Sequence, residues 1–411
     1  LVVTTPGWRP DAPLLSAARR AGIEVISDVE LAHRICRGMP DPPCWLGVTG
    51  TNGKTTTVGM LESVLLAAGR SAVACGNIGL PVLDAVRAGH RVLAVELSSF
   101  QLHWSPTVEM DAAAVLNVSA DHLDWHGGFA AYAAAKGTIY RGDALAVCNA
   151  DDPRGRELAA HNTRRVEFTL DRPQPGQLGV RGARLVDRAF DDDGAPLSAN
   201  ARPCELVSVS RVHPAGEHNH ANALAAAALA RSIGVPVDAV AAGLAGYRGG
   251  AHRAVRLAEI AGVSYVDDSK ATNPHAAGAS LRAHDSVVWI AGGLLKGAAV
   301  EELVRENAGR LRAVVLIGAD ADLIAAAVAR HAPDVPVRRV FAGEDGDMSV
   351  RAVMQRVVDT SAGMARPGDV VLLAPAAASM DMFSDYRERG DLFAAAVRVR
   401  AGGVGSARDQ R

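Results

Sequence analysis

Between residues 45 and 66 the chain passes from an apolar run through a glycine loop into a helical pattern. Trp45-Leu46-Gly47-Val48 leads into Thr49-Gly50-Thr51-Asn52-Gly53-Lys54-Thr55-Thr56-Thr57, and Val58-Gly59-Met60-Leu61-Glu62-Ser63-Val64-Leu65-Leu66 follows. Strand, glycine loop and helix in that order are the context a phosphate-binding loop requires. Glycines let backbone N–H groups converge on phosphate oxygens, and the helix N-terminus adds the positive end of its dipole. Lys54 is placed to reach the outer phosphates and the Thr55 hydroxyl to bind Mg²⁺. Val48 stands where the first glycine of G-x-x-x-x-G-K-[ST] belongs, and a bare Gly-Lys-Thr also occurs in ordinary turns. The flanking strand and helix favour the phosphate loop.

Apolar runs and helical patterns alternate along most of the 411 residues, enough chain for two or three domains. Residues 1–36 read as part of an α/β unit too short to bury a core alone. In residues 37–250, strands at 71–75, 91–95, 112–116 and 144–148 alternate with helices at 55–67, 129–140 and 219–231. Such alternation indicates a mainly parallel sheet covered on both faces. The stretch 167–209 is rich in Gly, Pro and Asp, including Asp191-Asp192-Asp193-Gly194, and predicts antiparallel hairpins packed beside the main sheet. Residues 251–400 repeat the alternation, with strands at 287–291, 313–317, 337–341 and 369–373: a Rossmann-like domain. The Gly-rich tail 401–411 is expected to be disordered.

Polar clusters follow several of these strands. Glu96-Leu97-Ser98-Ser99-Phe100-Gln101 follows the run 91–95, and residues just past the carboxyl end of a strand face the ligand crevice of an open α/β sheet. A carboxylate there suits Mg²⁺, which takes one or two carboxylates plus phosphate oxygens; a solvent-facing strand end is the other reading of Glu96 alone. The run 112–116 ends in Asn117-Val118-Ser119-Ala120-Asp121-His122, where the Asp-His pair gains a site role from its place after a strand. Lys136, in Tyr132-Ala133-Ala134-Ala135-Lys136, lies on a helix, where a lysine is ordinarily solvated. Asn219 and Asn222 are three apart and share a helix face, N-capping being the other reading of Asn219. Beyond His252-Arg253 come Asp267-Asp268-Ser269-Lys270-Ala271-Thr272-Asn273-Pro274, then Gly292-Gly293-Leu294-Leu295-Lys296-Gly297, then Ala374-Pro375-Ala376-Ala377-Ala378-Ser379 with Tyr386. Three polar clusters at strand ends of one domain point to one crevice, although Lys296 alone also reads as a turn lysine.

Taken together these residues resemble the Mur ligase family of ATP-dependent amino-acid-adding enzymes of peptidoglycan synthesis, over essentially the whole chain. Gly50-Thr51-Asn52-Gly53-Lys54-Thr55 is common to that family and to folylpolyglutamate synthases. Glu96-Leu97-Ser98-Ser99-Phe100-Gln101-Leu102 and Asp268-Ser269-Lys270-Ala271-Thr272-Asn273 look like its D-glutamate-adding branch. The resemblance implies a three-domain α/β architecture: a P-loop-like central parallel sheet, a C-terminal Rossmann-like domain and a truncated N-terminal α/β domain. It assigns ATP contacts to Gly50, Thr51, Asn52, Gly53, Lys54, Thr55, Thr56, Asn219, Asn222, Arg253 and Asp268. Thr55 and Glu96 are implied ligands of one Mg²⁺, and His122 of a second. Lys136 is implied to become carbamylated, which turns a cation into an anion able to hold that second ion. Asn77, Ser98, Gln101 and His122 resemble the site for the muramoyl-alanine end. Thr272, Lys296, Ser379 and Tyr386 resemble the D-glutamate pocket, with Phe frequent in the family at the last position. Asp268 and Lys270 match the family's catalytic pair. Residues 1–36 correspond to the later part of the family's UDP-binding domain, with Thr5-Pro6-Gly7 resembling its Ser-Pro-Gly turn; the sequence opens without Met and is expected to begin within that domain.

By the same resemblance, ATP phosphorylates the terminal carboxylate of UDP-N-acetylmuramoyl-L-alanine, and the amine of D-glutamate attacks the acyl phosphate after the third domain closes. The implied enzyme is a cytoplasmic monomer. A net charge of −2 gives no bulk electrostatic attraction to nucleic acid or an acidic membrane, and no apolar run reaches 18 residues, so no membrane insertion is expected. Cys36, Cys44, Cys75, Cys148 and Cys204 are scattered and never form C-x-x-C, as in a reduced cytosolic protein. Three other readings stay open: a folylpolyglutamate synthase, against which the 268–273 segment speaks; a switch or motor ATPase, against which the clusters at Thr272 and Ser379 speak; and a binding protein without catalysis, which steady turnover would exclude.

Overall fold

In the computed structural model the alternation of the sequence becomes one large sheet, one medium sheet and one small one. The structure describes residues 1–191, 194–197, 202–341 and 349–408. Two compact units result: Leu1–His213 with Glu217–Arg248, and Gly249–Arg411 with Pro214–Gly216.

In the first unit, β1 (Val2–Thr4) and β2 (Val25–Ser27) pair in parallel as a sheet of two. The helix Asp28–Arg37 that follows buries Val29, Ala32 and Cys36 in the core beneath the large sheet, beside Trp45. That sheet contains β3 (Cys44–Thr49), β4 (Ala72–Gly76), β5 (Val92–Glu96), β6 (Ala112–Val115), β7 (Leu145–Asn149), β8 (Arg165–Phe168), β9 (Gln177–Arg181), β10 (Arg184–Asp187) and β11 (Cys204–Ser208). Its order is β11-β10-β9-β8-β7-β6-β3-β5-β4. The strands from β4 through β9 run parallel, and β10 and β11 antiparallel. The hairpins expected beside the main sheet are therefore its continuation: β9 pairs with β8, so the ladder runs on without a break. Asp192 and Asp193 lie outside the described residues.

Side chains alternate across this sheet as a period of two requires. Leu46, Val92, Ala94, Ala112 and Ala114 enter one core; Trp45, Leu93, Val95, Ala113 and Val115 enter the other. Both faces are covered, so the strands read as continuous apolar runs. On the first face the helix Glu217–Arg231 buries every residue from Ala223 to Ala230. The helix Val237–Gly246 meets the helix Lys54–Ala67 at Gly243, where a Cβ would strike the backbone of Val64.

The second unit contains β12 (Val255–Ile260), β13 (Val263–Asp267), β14 (Val287–Gly292), β15 (Leu311–Ile317), β16 (Val337–Arg339) and β17 (Val370–Leu373), in the order β12-β13-β17-β14-β15-β16. All pairs are parallel except the β12–β13 hairpin at one edge. The last strand in sequence is inserted between β13 and β14, so the loops leaving β13, β14 and β17 lie side by side at the carboxyl end of the sheet, where open α/β sheets bind ligands. The helix Tyr386–Arg408 runs through most of the tail expected to be disordered. Phe393, Ala396 and Val397 anchor it in the core, and each further residue on a formed helix adds a hydrogen bond at little extra entropic cost. Residues 409–411 lie outside the described residues.

Candidate active site

In the first unit the phosphate-type loop leaves β3 between the ends of its two neighbours, β5 and β6. Gly53 takes φ +84°, which favours glycine, and a Cβ there would run into the Asn222 side chain. The β6 side fixes the loop. Thr51 Oγ1 bonds Tyr132 Oη at 2.9 Å and accepts from Ser119 N at 3.0 Å; Asn52 N donates to Asn117 Oδ1 at 2.9 Å, and Asn117 Nδ2 returns a bond to Asn52 O at 3.1 Å. Lys54 folds over the loop, its Nζ donating to the carbonyls of Gly50 (2.8 Å) and Thr51 (2.9 Å).

The β5 side supplies the carboxylate. Glu96 is buried at the end of its strand; Oε2 accepts the Thr55 hydroxyl at 2.7 Å and Oε1 accepts Asn77 Nδ2 at 2.9 Å. A hydroxyl and a carboxylate in contact at the first turn of the loop's helix are a donor set that fits one Mg²⁺. Magnesium takes one or two carboxylates and completes its shell from phosphate oxygens and water.

Lys136 approaches from the helix Phe129–Gly137, and its Nζ donates to Gly50 O at 2.7 Å, the same carbonyl that Lys54 uses. It is only 2% exposed. Burial, then the charge of Lys54, drives its pKa well below the ordinary lysine value, with Asp121 and Glu96 pulling partly back. His122 holds φ +51°, a left-handed conformation uncommon outside glycine. Its ring packs 4.8 Å from that of Phe100, and its Nε2 lies 3.6 Å from Asp121 Oδ2. Ser98 and Gln101 form a reciprocal capping box: Ser98 Oγ accepts Gln101 N at 3.1 Å, and Gln101 Oε1 accepts Ser98 N at 3.0 Å. Asn222 Nδ2 donates to Asn219 Oδ1 at 3.1 Å, both side chains being buried, and Thr56 is buried in the first turn of its helix.

In the second unit Asp267 and Asp268 end β13. Asp267 Oδ2 bonds His252 Nδ1 at 2.7 Å. Asp268 accepts Ala254 N at 3.3 Å; burial pushes its carboxyl up to about 6, against the Ser280 hydroxyl and the charge of Arg253. Lys270 Nζ stands 4.0 Å from the Tyr386 ring centroid, and Thr272 N donates to Lys270 O at 2.8 Å. Ser269 Oγ donates to Tyr386 O at 2.7 Å. Arg389, fully buried, bonds Ser269 Oγ (3.0 Å), Ser269 O (2.8 Å) and Ala377 O (3.2 Å), tying the Lys270 loop to the Ser379 loop. Burial lowers its pKa to about 10. The Lys296 and Ser379 loops are joined by reciprocal bonds between Leu294 and Ala378, at 2.8 and 2.9 Å.

Backbone strain gathers in these loops. Among the described residues six non-glycine residues have positive φ: His122 and Lys296 are site residues predicted from the sequence, His252 and Ala254 flank Arg253, Ala376 precedes Ser379, and Ala261 lies in the β12–β13 turn. Such conformations cost about 1–3 kcal/mol each and persist where the surroundings over-determine them. Strand ends bring Lys54, Thr55, Glu96, Asn77 and Lys136 into one chain of contacts. Asn117, Tyr132, His252, Ser269 and Arg389 were not predicted. Tyr132 carried a signal, lying four residues before Lys136 on one helix face; Arg389 carried none, because a helical arginine reads as solvated.

Two family models match the chain: the Mur ligase middle domain over residues 48–230, and the Mur ligase, glutamate ligase domain over residues 252–377. The UDP-N-acetylmuramoylalanine–D-glutamate ligase of Thermobifida fusca is 55% identical over 410 residues, covering 98% of this chain and 85% of that protein. The enzyme of the same name from Streptomyces avermitilis is 55% identical over 406 residues, covering 97% and 84%. Among solved structures, the UDP-N-acetylmuramate-alanine ligase MurC of Thermotoga maritima has a TM-score of 0.63 at 18% identity, over 97% of this chain and 85% of that one. MurF of Acinetobacter baumannii has a TM-score of 0.64 at 20% identity, over 90% and 79%.

Proposed function

The chain belongs to the Mur ligase family, and on that premise we propose that it joins D-glutamate to UDP-N-acetylmuramoyl-L-alanine, coupled to cleavage of ATP to ADP and phosphate, in peptidoglycan precursor synthesis. The observation that carries the phosphoryl-transfer half is the line Thr55–Glu96–Asn77 beside the Lys54 loop. It places a cation, a metal-type donor pair and a neutral amide donor along one strand end.

The γ-phosphoryl group of ATP passes to the terminal carboxylate of the muramoyl-alanine substrate, giving an acyl phosphate and ADP. Lys54 exchanges its carbonyl partners for phosphate oxygens, and the loop amides and helix N-terminus offset the remaining charge. Thr55 and Glu96 would hold Mg²⁺, which when bound would neutralise charge on the transferring group. The amine of D-glutamate then attacks the acyl carbon, loses a proton and expels phosphate, leaving an amide. Lys296, Thr272, Ser379 and Tyr386 orient the amino acid, and water is kept away because an acyl phosphate hydrolyses readily. Asp268, Arg253, Asn219 and Asn222 contact the nucleotide, Lys270 completes the catalytic pair with Asp268, and Ser98, Gln101 and His122 face the muramoyl-alanine end.

Lys136 serves as a carbamate. An amine held neutral by burial adds to carbon dioxide: the N–C bond forms, nitrogen releases a proton, and a carbamate anion replaces the neutral amine. With His122 that anion would hold a second Mg²⁺. The depressed Lys136 pKa supports this reading. The cysteines among the described residues are all free thiols, which supports a cytoplasmic location, and among those residues no helix is long and apolar enough to cross a membrane.

The test is ADP release with ATP, Mg²⁺ and UDP-N-acetylmuramoyl-L-alanine, with D-glutamate or L-glutamate added in parallel. Turnover that depends on D-glutamate alone is expected. ADP release indifferent to D-glutamate would sink the proposal.

A further inference from the structure

Two carboxylates that the proposed reaction does not use converge on one turn of the second unit. β15 ends at Ile317, and Gly318-Ala319-Asp320 leads into the helix Ala321–His331. Asp320 Oδ2 accepts the backbone N–H of Leu295 at 2.7 Å, immediately before Lys296, and Asp320 N donates to Gly293 O at 3.1 Å. From the other side, Asp381 Oδ2 accepts the N–H of Ala319 at 2.8 Å, two residues beyond Ser379. The turn is thus bonded on one flank to the Lys296 loop and on the other to the Ser379 loop.

There is no slack in this arrangement. Gly318 and Gly293 take φ +78° and +131°; a Cβ on Gly318 would strike both Asp381 Oδ2 and the Gly293 backbone, and a Cβ on Gly293 would strike Ala378 O. Lys296 itself is held at φ +53°, which an L-residue keeps only when its neighbours impose it. The Asp320 bond to the preceding peptide is one such constraint. Asp381 Oδ1 is buried and has no hydrogen-bond partner among the described residues. Asp381 thus holds the Ala319 tether with one oxygen while the other is turned inward.

We propose that the 318–320 turn, acting through Asp320 and Asp381, fixes the distance between Lys296 and Ser379 and so sets the length of acidic side chain that the amino-acid pocket accepts. The inference rests on the assignment of Lys296 and Ser379 to the D-glutamate pocket. Asp320 and Asp381 are positioning residues. D-Glutamate and D-aspartate differ by one methylene, a length change of about 1 Å, and misplacement on that scale costs up to about 10²-fold in rate.

The experiment is steady-state kinetics on the full chain for Asp320→Ala, Asp320→Asn, Asp381→Ala and Lys296→Ala, varying each substrate in turn and comparing D-glutamate with D-aspartate. Asp320→Ala should raise KM for D-glutamate roughly ten-fold, the scale of one lost hydrogen bond to a charged acceptor. It should narrow the kcat/KM preference for D-glutamate over D-aspartate by a similar factor and leave KM for ATP and the nucleotide sugar unchanged. Asp320→Asn keeps a carbonyl for the Leu295 amide and should restore both values; Asp381→Ala should repeat the effect from the other flank. It carries the test if Asp320→Ala fails to fold by circular dichroism. An unchanged D-glutamate KM with an unchanged preference, or an equal loss toward all three substrates, overturns the proposal. If Lys296→Ala also leaves the D-glutamate KM unchanged, the pocket assignment is what has failed; if Lys296→Ala raises it while the aspartate variants do not, only the role of the turn has.

Discussion

Lys136 is a cation by residue type and an amine by environment. Three features of its surroundings disfavour the charge: burial, the nearby Lys54, and a partner, Gly50 O, that is a neutral carbonyl already shared with Lys54. The charged form would need a carboxylate in direct contact to be stable there, because an unpaired buried charge costs several kcal/mol. Carbamylation turns that neutral amine into an anion near the Thr55–Glu96 pair. Lys136→Ala should therefore lose about 10²–10³ in kcat, the scale seen when one preorganised charge contact is removed. A short carboxylic acid in the assay should recover part of that loss, because a free carboxylate can occupy the place of the carbamate. Full activity in the variant, or a loss that no acid relieves, would remove the carbamate role.

Among the elements, the helix Asp28–Arg37 shows how a helix is fastened by a single buried carboxylate. Glu30 is fully buried and accepts the Thr107 amide at 2.9 Å, the Thr107 hydroxyl at 2.5 Å and Arg34 Nε at 2.7 Å, fixing the helix to the segment that enters β6. Burial alone would raise its pKa, but the bonds from Thr107 and Arg34 outweigh it and hold the group below the ordinary glutamate value. Its folded pKa is thus depressed, so its stabilisation is present above about pH 4.5 and is lost as pH falls through the folded value. Glu30→Ala should destabilise the first unit by about 2 kcal/mol near neutral pH, through the loss of its bonds to Thr107 and Arg34, Arg34 keeping its pair with Glu24, with the deficit shrinking in acid. Urea unfolding at both pH values checks this; a deficit that grows in acid would contradict it. Nothing in the sequence announced Glu30, which reads as the solvated face of an acidic first turn. Strands were legible because burial on both faces made them apolar runs, and Glu96, Lys296 and Ser379 were placed at strand ends by the same reading. Sheet membership of β9 to β11 was not legible, since the β8–β9 pairing is parallel and carries no turn signal of its own. Arg389, Asp320 and Asp381 escaped for a related reason: a polar side chain turned inward leaves no periodicity to read.

At the scale of the molecule, each unit has its own two-faced sheet with a core on either face, one set built around β3 to β7 and the other around β13 to β17, and the first unit adds a small core of Leu15, Ala18, Val25 and Trp104. Chain crossings between the units fall at residues 213–217 and 248–249. Units with separate cores unfold as separate cooperative blocks, and a ligand that binds one block stabilises that block by mass action. The phosphate loop, Glu96 and Lys136 lie in the first unit, and the Thr272, Lys296 and Ser379 loops in the second. Scanning calorimetry should therefore resolve two transitions. A non-hydrolysable ATP analogue with Mg²⁺ should raise chiefly the transition of the unit that holds the phosphate loop, by about 2.7 kcal/mol of stability at a hundred times its Kd. D-Glutamate alone should raise the other and leave the first in place. The assignment of each transition follows from Glu30→Ala, which lowers only the transition of the first unit. A single transition that moves equally with either ligand would mean that the two sets of cores unfold as one. In that case the division of labour between a phosphoryl-transferring unit and an amino-acid-holding unit would have no counterpart in the energetics of the fold.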